Sequence, residues 1–161
     1  MDTNTSENKS VEILVFYIGK TLYGLRMERV EEIIGIQKII PLPGSMDEIL
    51  GIINLRNRII PIVDSNFLLK EASASSLEEE EKNQGIVIVS FAGERVGIIV
   101  DDMCDVLSVH SEQFVSLSKK NEKNRYLKNF VRTKNDSGED AANQLISMLD
   151  LEEMLTFGEN V

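Results

Sequence analysis

The stretch that most constrains the fold is 51–64, which reads GIINLRNRIIPIVD. It contains two short apolar runs rich in isoleucine and valine, separated by the polar segment 54–58. Runs of this kind bounded by Gly and Asp are typical of buried β-strands. Asn57 tolerates the positive φ of a tight turn, so the stretch predicts a β-hairpin with two arginines near its tip. Pro61 cannot donate to a strand ladder, so the second strand should lie at a sheet edge or bend there.

An internal repeat is the second constraint. Gly24 matches Gly97, and the apolar and acidic positions that follow both glycines match at the same 73-residue spacing. The spacing grows to 78 between Gly51 and Asn129, because the second half carries extra polar loops at 118–125 and 133–143. Matches in one order along the chain indicate a duplication of a small unit of about five strands. The sequence therefore predicts an all-β fold of two similar barrels with a short C-terminal helix.

The predicted domain organisation follows from composition. Residues 1–10 are polar and predict a flexible tail. Residues 11–157 form the predicted domain, with subdomains at about 11–70 and 85–157. Between them, residues 71–84 (EASASSLEEEEKNQ) are small, polar and acidic, which is typical of a linker.

Composition excludes several classes of partner. The 161-residue chain has a net charge of −10, which disfavours nucleic acid or an anionic membrane as a partner, although a local basic patch remains possible. No stretch approaches the roughly 20 apolar residues of a membrane span, and the N-terminus lacks the features of a signal peptide. A single cysteine excludes an internal disulfide. We therefore expect a cytoplasmic protein.

Catalytic chemistry finds little support in the sequence. The segment Asp64-Ser65-Asn66 weakly resembles the Asp-Ser/Thr-Gly of aspartic proteases, with Asp101 or Asp150 as the second carboxylate, but Asn66 replaces the glycine. Clustered aspartates at 101, 102 and 105 could suggest a cation site, yet they lack the spacing of a calcium-binding EF-hand loop. His110 is the sole histidine and a poor metal site. No catalytic residue, metal or cofactor is predicted.

Binding is the better interpretation, because two small barrels leave strand edges and a groove where partner helices or strands can dock. Arg56 lies at the predicted hairpin tip, and Glu32 ends an acidic run. An arginine at a tight turn can pair with a carboxylate through two parallel hydrogen bonds and fix the loop. The alternative is two exposed charges that never meet.

The residues quoted above resemble the signature of CheW-type domains, which runs Gly, two apolar residues, Asn-Leu-Arg-Gly, then an apolar run with Pro and Val-Asp. The flanks agree in order with the same family, at YGL (23–25), VEEI (30–33), PLPG (41–44), RVGIIVD (95–101) and LDLEEML (149–155). The resemblance covers about residues 11–157. Three positions depart from the pattern: Asn57 and Asn129 stand where the family has Gly, and Ser65 replaces the usual Leu.

The resemblance implies two five-stranded barrels of SH3-like type and a non-catalytic role. Members of the family couple transmembrane chemoreceptors to the histidine kinase CheA in bacterial chemotaxis. One surface would bind the cytoplasmic tip of a methyl-accepting chemoreceptor, and another would bind the CheA regulatory domain. Since the chain starts at Met1 and shows no ATP-binding signature, a free-standing adaptor is expected, cytoplasmic and associated with membrane-bound receptor arrays, with no direct membrane insertion.

The resemblance also implies the site. In such proteins a Glu and the Arg of Asn-Leu-Arg pair near the receptor-binding face, and the matching residues here are Glu32 and Arg56. Their neighbours complete the predicted receptor-binding set, which comprises Glu32, Arg56, Val30, Ile33, Asn54 and Leu55.

Overall fold

The computed structural model describes residues 9–71, 83–133 and 144–156. Within these ranges the chain forms eleven strands: β1 (Ser10–Ile18), β2 (Thr21–Arg26), β3 (Val30–Gly35), β4 (Ile49–Leu55), β5 (Arg58–Val63), β6 (Gly85–Phe91), β7 (Glu94–Val100), β8 (Asp102–His110), β9 (Phe114–Ser116), β10 (Leu127–Thr133) and β11 (Gln144–Leu149). Two short helices follow β5 and β11, namely α1 (Ser65–Leu69) and α2 (Leu151–Met154). The predicted all-β class and the short C-terminal helix are confirmed.

The strands form two sheets that repeat one order. The six-stranded sheet runs β8-β1-β2-β11-β10-β9, and the five-stranded sheet runs β3-β6-β7-β5-β4. Each contains one parallel pair among antiparallel ones: β2 with β11 in the first sheet, and β7 with β5 in the second. Strands that match in the sequence repeat occupy the same places, β1 with β6 and β2 with β7. The topology therefore shows the duplication that the sequence predicts.

Each sheet contains strands from both halves of the chain. The hairpin β1–β2 from the first half joins the six-stranded sheet, and the hairpin β6–β7 from the second half joins the five-stranded sheet. The two sheets therefore do not coincide with the predicted subdomains 11–70 and 85–157. One sheet has six strands rather than the predicted five, and the ladders of the described strands do not close into rings. Most of the predicted tail and linker, and the loop from 134 to 143, lie outside the described residues.

Three apolar clusters hold the sheets together. A central cluster lies between the sheets and includes both helices, while a smaller cluster lies inside the curve of each sheet. β1 faces two clusters at once, with Leu14 and Phe16 in the central one and Ile13 and Val15 in the smaller one. A strand buried on both faces needs a continuous apolar run, and this is why residues 13–16 read ILVF.

The hairpin β4–β5 turns through two residues. Arg56 and Asn57 have φ of 51° and 66°, between Leu55 and Arg58, which pair across the strands. Two consecutive positive φ values define the tight hairpin turn whose twist matches that of the strands. The predicted turn at Asn57 is confirmed.

Pro61 fits within β5 without breaking the sheet. Ile52, its partner in β4, directs its backbone N–H and C=O to Ile40 instead, at 2.9 and 2.8 Å. The β4–β5 ladder therefore needs no N–H donor at Pro61. β5 is an interior strand, because it lies between β4 and β7. Its parallel pairing with β7 begins only at Ile62, so Pro61 lies just before that pairing begins.

Two glycines permit the parallel pairs that join the halves. A Cβ placed on Gly97 would lie 2.5 Å from Cδ1 of Ile62 and 2.9 Å from Cγ2 of Ile86. On Gly24, the matching residue of the repeat, it would lie 2.8 Å from Sδ of Met148. These distances are shorter than real Cβ contacts, so a side chain at either position would force the neighbouring core side chains to shift.

We expect Gly97→Ala to lower the free energy of unfolding by about 1–3 kcal/mol, because the added methyl group overpacks the buried contact with Ile62. Gly35→Ala is the matched control, since a Cβ at Gly35 meets nothing within 4 Å. That control should change stability by less than about 0.5 kcal/mol. Urea denaturation followed by circular dichroism measures both, and equal losses in the two variants would contradict the packing argument.

Candidate protein-binding site

Glu32 and Arg56 form a two-pronged ion pair. Nη1 of Arg56 donates to Oε1 of Glu32 at 2.9 Å, and Nη2 donates to Oε2. Glu32 lies in β3 and Arg56 at the β4–β5 turn, which belong to opposite ends of the five-stranded sheet. The sheet therefore curls until its two ends meet, and side chains join them where no backbone ladder is present among the described strands. The alternative of two charges that never meet is wrong.

The pair shifts the protonation equilibria of both groups. The hydrogen bonds from Arg56 hold the pKa of the Glu32 carboxyl below its ordinary value of 4.5, despite an opposing effect of desolvation, and the positive charges of Arg56 and Arg95 act in the same direction. The hydrogen bonds and the charge of Glu32 raise the pKa of Arg56. Arg95 is held nearby by Glu31, with Nε 3.2 Å from Oε2. Both groups of the pair are thus charged at neutral pH.

The remaining residues of the predicted set do not form one patch. Val30 packs against the central cluster. Leu55 packs against the smaller cluster inside the five-stranded sheet, whose buried members are all isoleucines. Asn54 is exposed on the edge strand β4. Ile33 follows Glu32 in β3, so its side chain projects from the opposite face of that strand, and it is 42% exposed.

Ile33 lines a groove between the edge strands of the two sheets. The groove has a volume of about 330 Å³ and lies between β3 and β8. Its apolar side chains are those of Leu14, Ile33, Ile34, Met103 and Val106. Val106, 40% exposed, occupies the position in the repeat that matches Ile33, 73 residues earlier. Sequence reasoning missed Val106 and Met103, although the repeat itself was the signal that could have found them.

The carboxylates considered for catalysis have structural roles. Oδ1 of Asp64 accepts from the backbone N–H of Phe67 and caps α1, and Oδ1 of Asp150 accepts from the N–H of Glu153 and caps α2. Asp101 is buried and accepts from the N–H of Gly19, which holds the β1–β2 turn.

Two kinds of site are absent from the described part of the chain. Across residues 9–71, 83–133 and 144–156, no three His, Cys, Asp or Glu side chains are grouped to hold a metal ion. The helices in those ranges are too short and too polar for any of them to cross a membrane.

Comparison with known proteins places this geometry in a family. The model of the CheW-like domain matches residues 12–159. "Chemotaxis protein CheW" of Treponema pallidum is 33% identical over 111 residues, which cover 68% of this chain and 64% of that protein. The protein of the same name from Klebsiella aerogenes is 33% identical over 107 residues, 66% of this chain and 62% of that protein. The chain thus spans less than two thirds of the length of these two relatives.

A solved structure shows the same fold. The crystal structure of scaffolding protein TtCheW from Thermoanaerobacter tengcongensis superposes with a TM-score of 0.77 at 23% sequence identity. The match covers 93% of this chain and 95% of that one. Both sheets of the described fold therefore have counterparts in a known structure.

We expect the side-chain pKa of Glu32, followed by NMR titration, to lie below 4.5 and to rise in Arg56→Ala. Arg95→Ala is the control and should raise it less, because Arg95 acts only through its charge. A depressed carboxyl pKa stabilises the folded state above the unfolded pKa, and this contribution is lost as pH falls through the folded pKa. An unchanged Glu32 titration in Arg56→Ala would show that the pair does not form in solution.

Proposed function

The chain belongs to the CheW-like domain family, and we propose that it is a non-catalytic adaptor that couples transmembrane chemoreceptors to the histidine kinase CheA in bacterial chemotaxis. Relatives named as chemotaxis proteins support this role. The observation that carries it is an exposed apolar groove between two edge strands, with the Glu32–Arg56 pair fixing one of its walls.

The groove is the surface that we propose for the receptor tip. Helices bind proteins by laying an apolar face into such a groove. Ile33 and Val106 leave apolar surface in water on its two walls, and covering them with a helical hairpin removes that surface from solvent. We therefore assign the groove and Ile33 to the receptor-binding face.

The Glu32–Arg56 pair would act mainly by positioning. It ties the β4–β5 turn to β3, the strand that carries Ile33. Two of the five guanidinium N–H donors of Arg56 contact Glu32, and within residues 9–71, 83–133 and 144–156 the others have no partner, so they could bond a carboxylate or backbone carbonyl of the receptor. Val30 and Leu55 pack against apolar clusters and so anchor β3 and the end of β4, which carry the two partners of the pair.

A second face is needed for the kinase. Coupling two partners requires two distinct surfaces and contacts that differ between receptor states. The loop between β3 and β4, with β4 itself, carries a group of exposed apolar side chains: Ile36, Ile40, Leu42, Met46 and Leu50. We propose that the CheA regulatory domain binds this apolar face, so that receptor and kinase contact different edge strands of the five-stranded sheet, β3 and β4. The adaptor would work in the cytoplasm within receptor arrays, without a cofactor.

Binding of purified protein to a receptor cytoplasmic fragment and to the CheA regulatory domain, by isothermal titration calorimetry, tests the proposal. Ile33→Ser and Val106→Ser should each weaken receptor binding by roughly tenfold or more, because each removes buried apolar surface. Arg56→Ala and Glu32→Ala should weaken receptor binding as well, and all four should leave kinase binding unchanged.

Two controls make the result decisive. Leu145→Ser removes an equally exposed apolar side chain that does not line the groove, and it should bind both partners normally. Ile40→Ser with Leu42→Ser should weaken only kinase binding. Wild-type protein that binds neither partner would overturn the adaptor function. Normal receptor binding by the groove variants would leave the function standing and refute the site.

A further inference from the structure

A strongly basic loop interrupts an otherwise acidic chain. Residues 119–128, referred to below as the basic loop, connect β9 to β10 and enter that strand. They contain five exposed basic side chains and one acidic one: Lys119, Lys120, Lys123, Arg125, Lys128 and Glu122. Since the whole chain carries a net charge of −10, positive charge is concentrated here against the overall balance.

The basic loop has a fixed backbone. Oδ1 of Asn121 accepts from the N–H of Lys123 at 2.8 Å, and Oδ1 of Asn124 accepts from the N–H of Asn121 at 2.7 Å. Nδ2 of Asn124 donates to the carbonyl of Lys119 at 2.9 Å. Asparagine side chains that bond the nearby backbone hold a turn in one conformation. The cations are thus displayed on a preorganised turn, which lowers the entropic cost of binding.

Most of the positive charge is not neutralised within the described fold. Nζ of Lys120 lies 3.4 Å from Oδ2 of Asp150, and Nε of Arg125 lies 3.3 Å from Oε1 of Glu153. No carboxylate in the described ranges lies within 4.0 Å of the ammonium groups of Lys119, Lys123 and Lys128.

The basic loop also forms one wall of a cavity. The cavity has a volume of about 890 Å³, and α1 forms the facing wall. Phe67, Leu69 and Tyr126 contribute apolar lining, and Phe67 is 52% exposed. The charged part of the lining consists of three cations and two carboxylates, namely Lys70, Lys123, Arg125, Glu48 and Glu122. An aromatic ring beside clustered cations suits a ligand that combines negative charge with an apolar group.

We propose that the basic loop and this cavity bind an acidic peptide segment of a partner protein, with one apolar side chain of that segment resting against Phe67. The patch is a few residues wide within a chain of opposite net charge, so an extended polyanion such as nucleic acid or a membrane would meet repulsion beyond it. This surface is separate from the groove assigned to the receptor, and it borders the apolar face assigned to the kinase, since Phe67 and Leu50 line one further pocket.

Fluorescence anisotropy with a labelled glutamate-rich peptide carrying one central leucine tests this directly. Wild-type protein should bind the peptide at about 50 mM salt and lose most of that binding at about 500 mM, since exposed charges are screened by salt. K119E with K123E should weaken binding by roughly tenfold or more, because two attractions become repulsions. Phe67→Ala should weaken binding of this peptide but not of one with serine in place of leucine.

K20E with K38E is the matched control, because it changes the net charge equally at exposed lysines elsewhere. The control variant should bind the peptide nearly as tightly as wild type, and any small weakening that it shows measures the effect of net charge alone. Equal weakening by the two double variants would overturn the site, and so would absence of wild-type binding at low salt. Tighter binding to phosphatidylserine vesicles than to the peptide would overturn the choice of partner. Glutamine in place of Glu78, Glu79, Glu80 and Glu81 should leave peptide affinity unchanged. A large gain in affinity would also overturn the choice of partner, since the chain's own glutamates would then be the competing occupant.

Discussion

Each sheet of this protein is completed by a hairpin from the other half of the chain. Without β1–β2, the six-stranded sheet would lose its centre and expose the edges of β8 and β11, and the same holds for β6–β7 in the second sheet. Unpaired strand edges and uncovered isoleucines are both costly in water. The two halves are therefore mutually dependent, and the central cluster between the sheets forms only when both hairpins are in place.

This dependence explains where the chain tolerates polar residues and where it does not. Strands β1 and β6 face apolar clusters on both sides, so they contain the continuous apolar runs ILVF (13–16) and IVIV (86–89). Edge strands face water on one side, so β3 alternates half-buried and exposed residues and can carry Glu32 beside Ile33. Binding residues therefore concentrate on the edge strands and the turns, whose side chains the core does not need.

The all-β class, the β4–β5 turn and the repeat could be predicted from the sequence, because each depends on a pattern of residues that are close together in the chain or repeated along it. Asn57 marks a turn, and glycines at 24 and 97 mark equivalent positions. The exchange of hairpins could not be predicted, since strand β1 has the same apolar pattern whichever half supplies its neighbours. The pairing of Glu32 with Arg56 was predictable through the family resemblance. Only one wall of the groove could be predicted. Ile33 in β3 belonged to the predicted set, whereas the opposite wall in β8 depends on the exchange of hairpins.

The repeat gives the groove two equivalent apolar contacts with unequal surroundings. Ile33 and Val106 occupy equivalent positions of the repeat and line the same groove, one from each half of the chain. Met103 and Asp105 also line it from β8, whereas their counterparts in the repeat, Val30 and Glu32, do not line it from β3. The Glu32–Arg56 ion pair ties only the β3 wall to the β4–β5 turn. A ligand would therefore meet two similar anchoring points between walls of different chemistry, and that difference would give its binding a single direction.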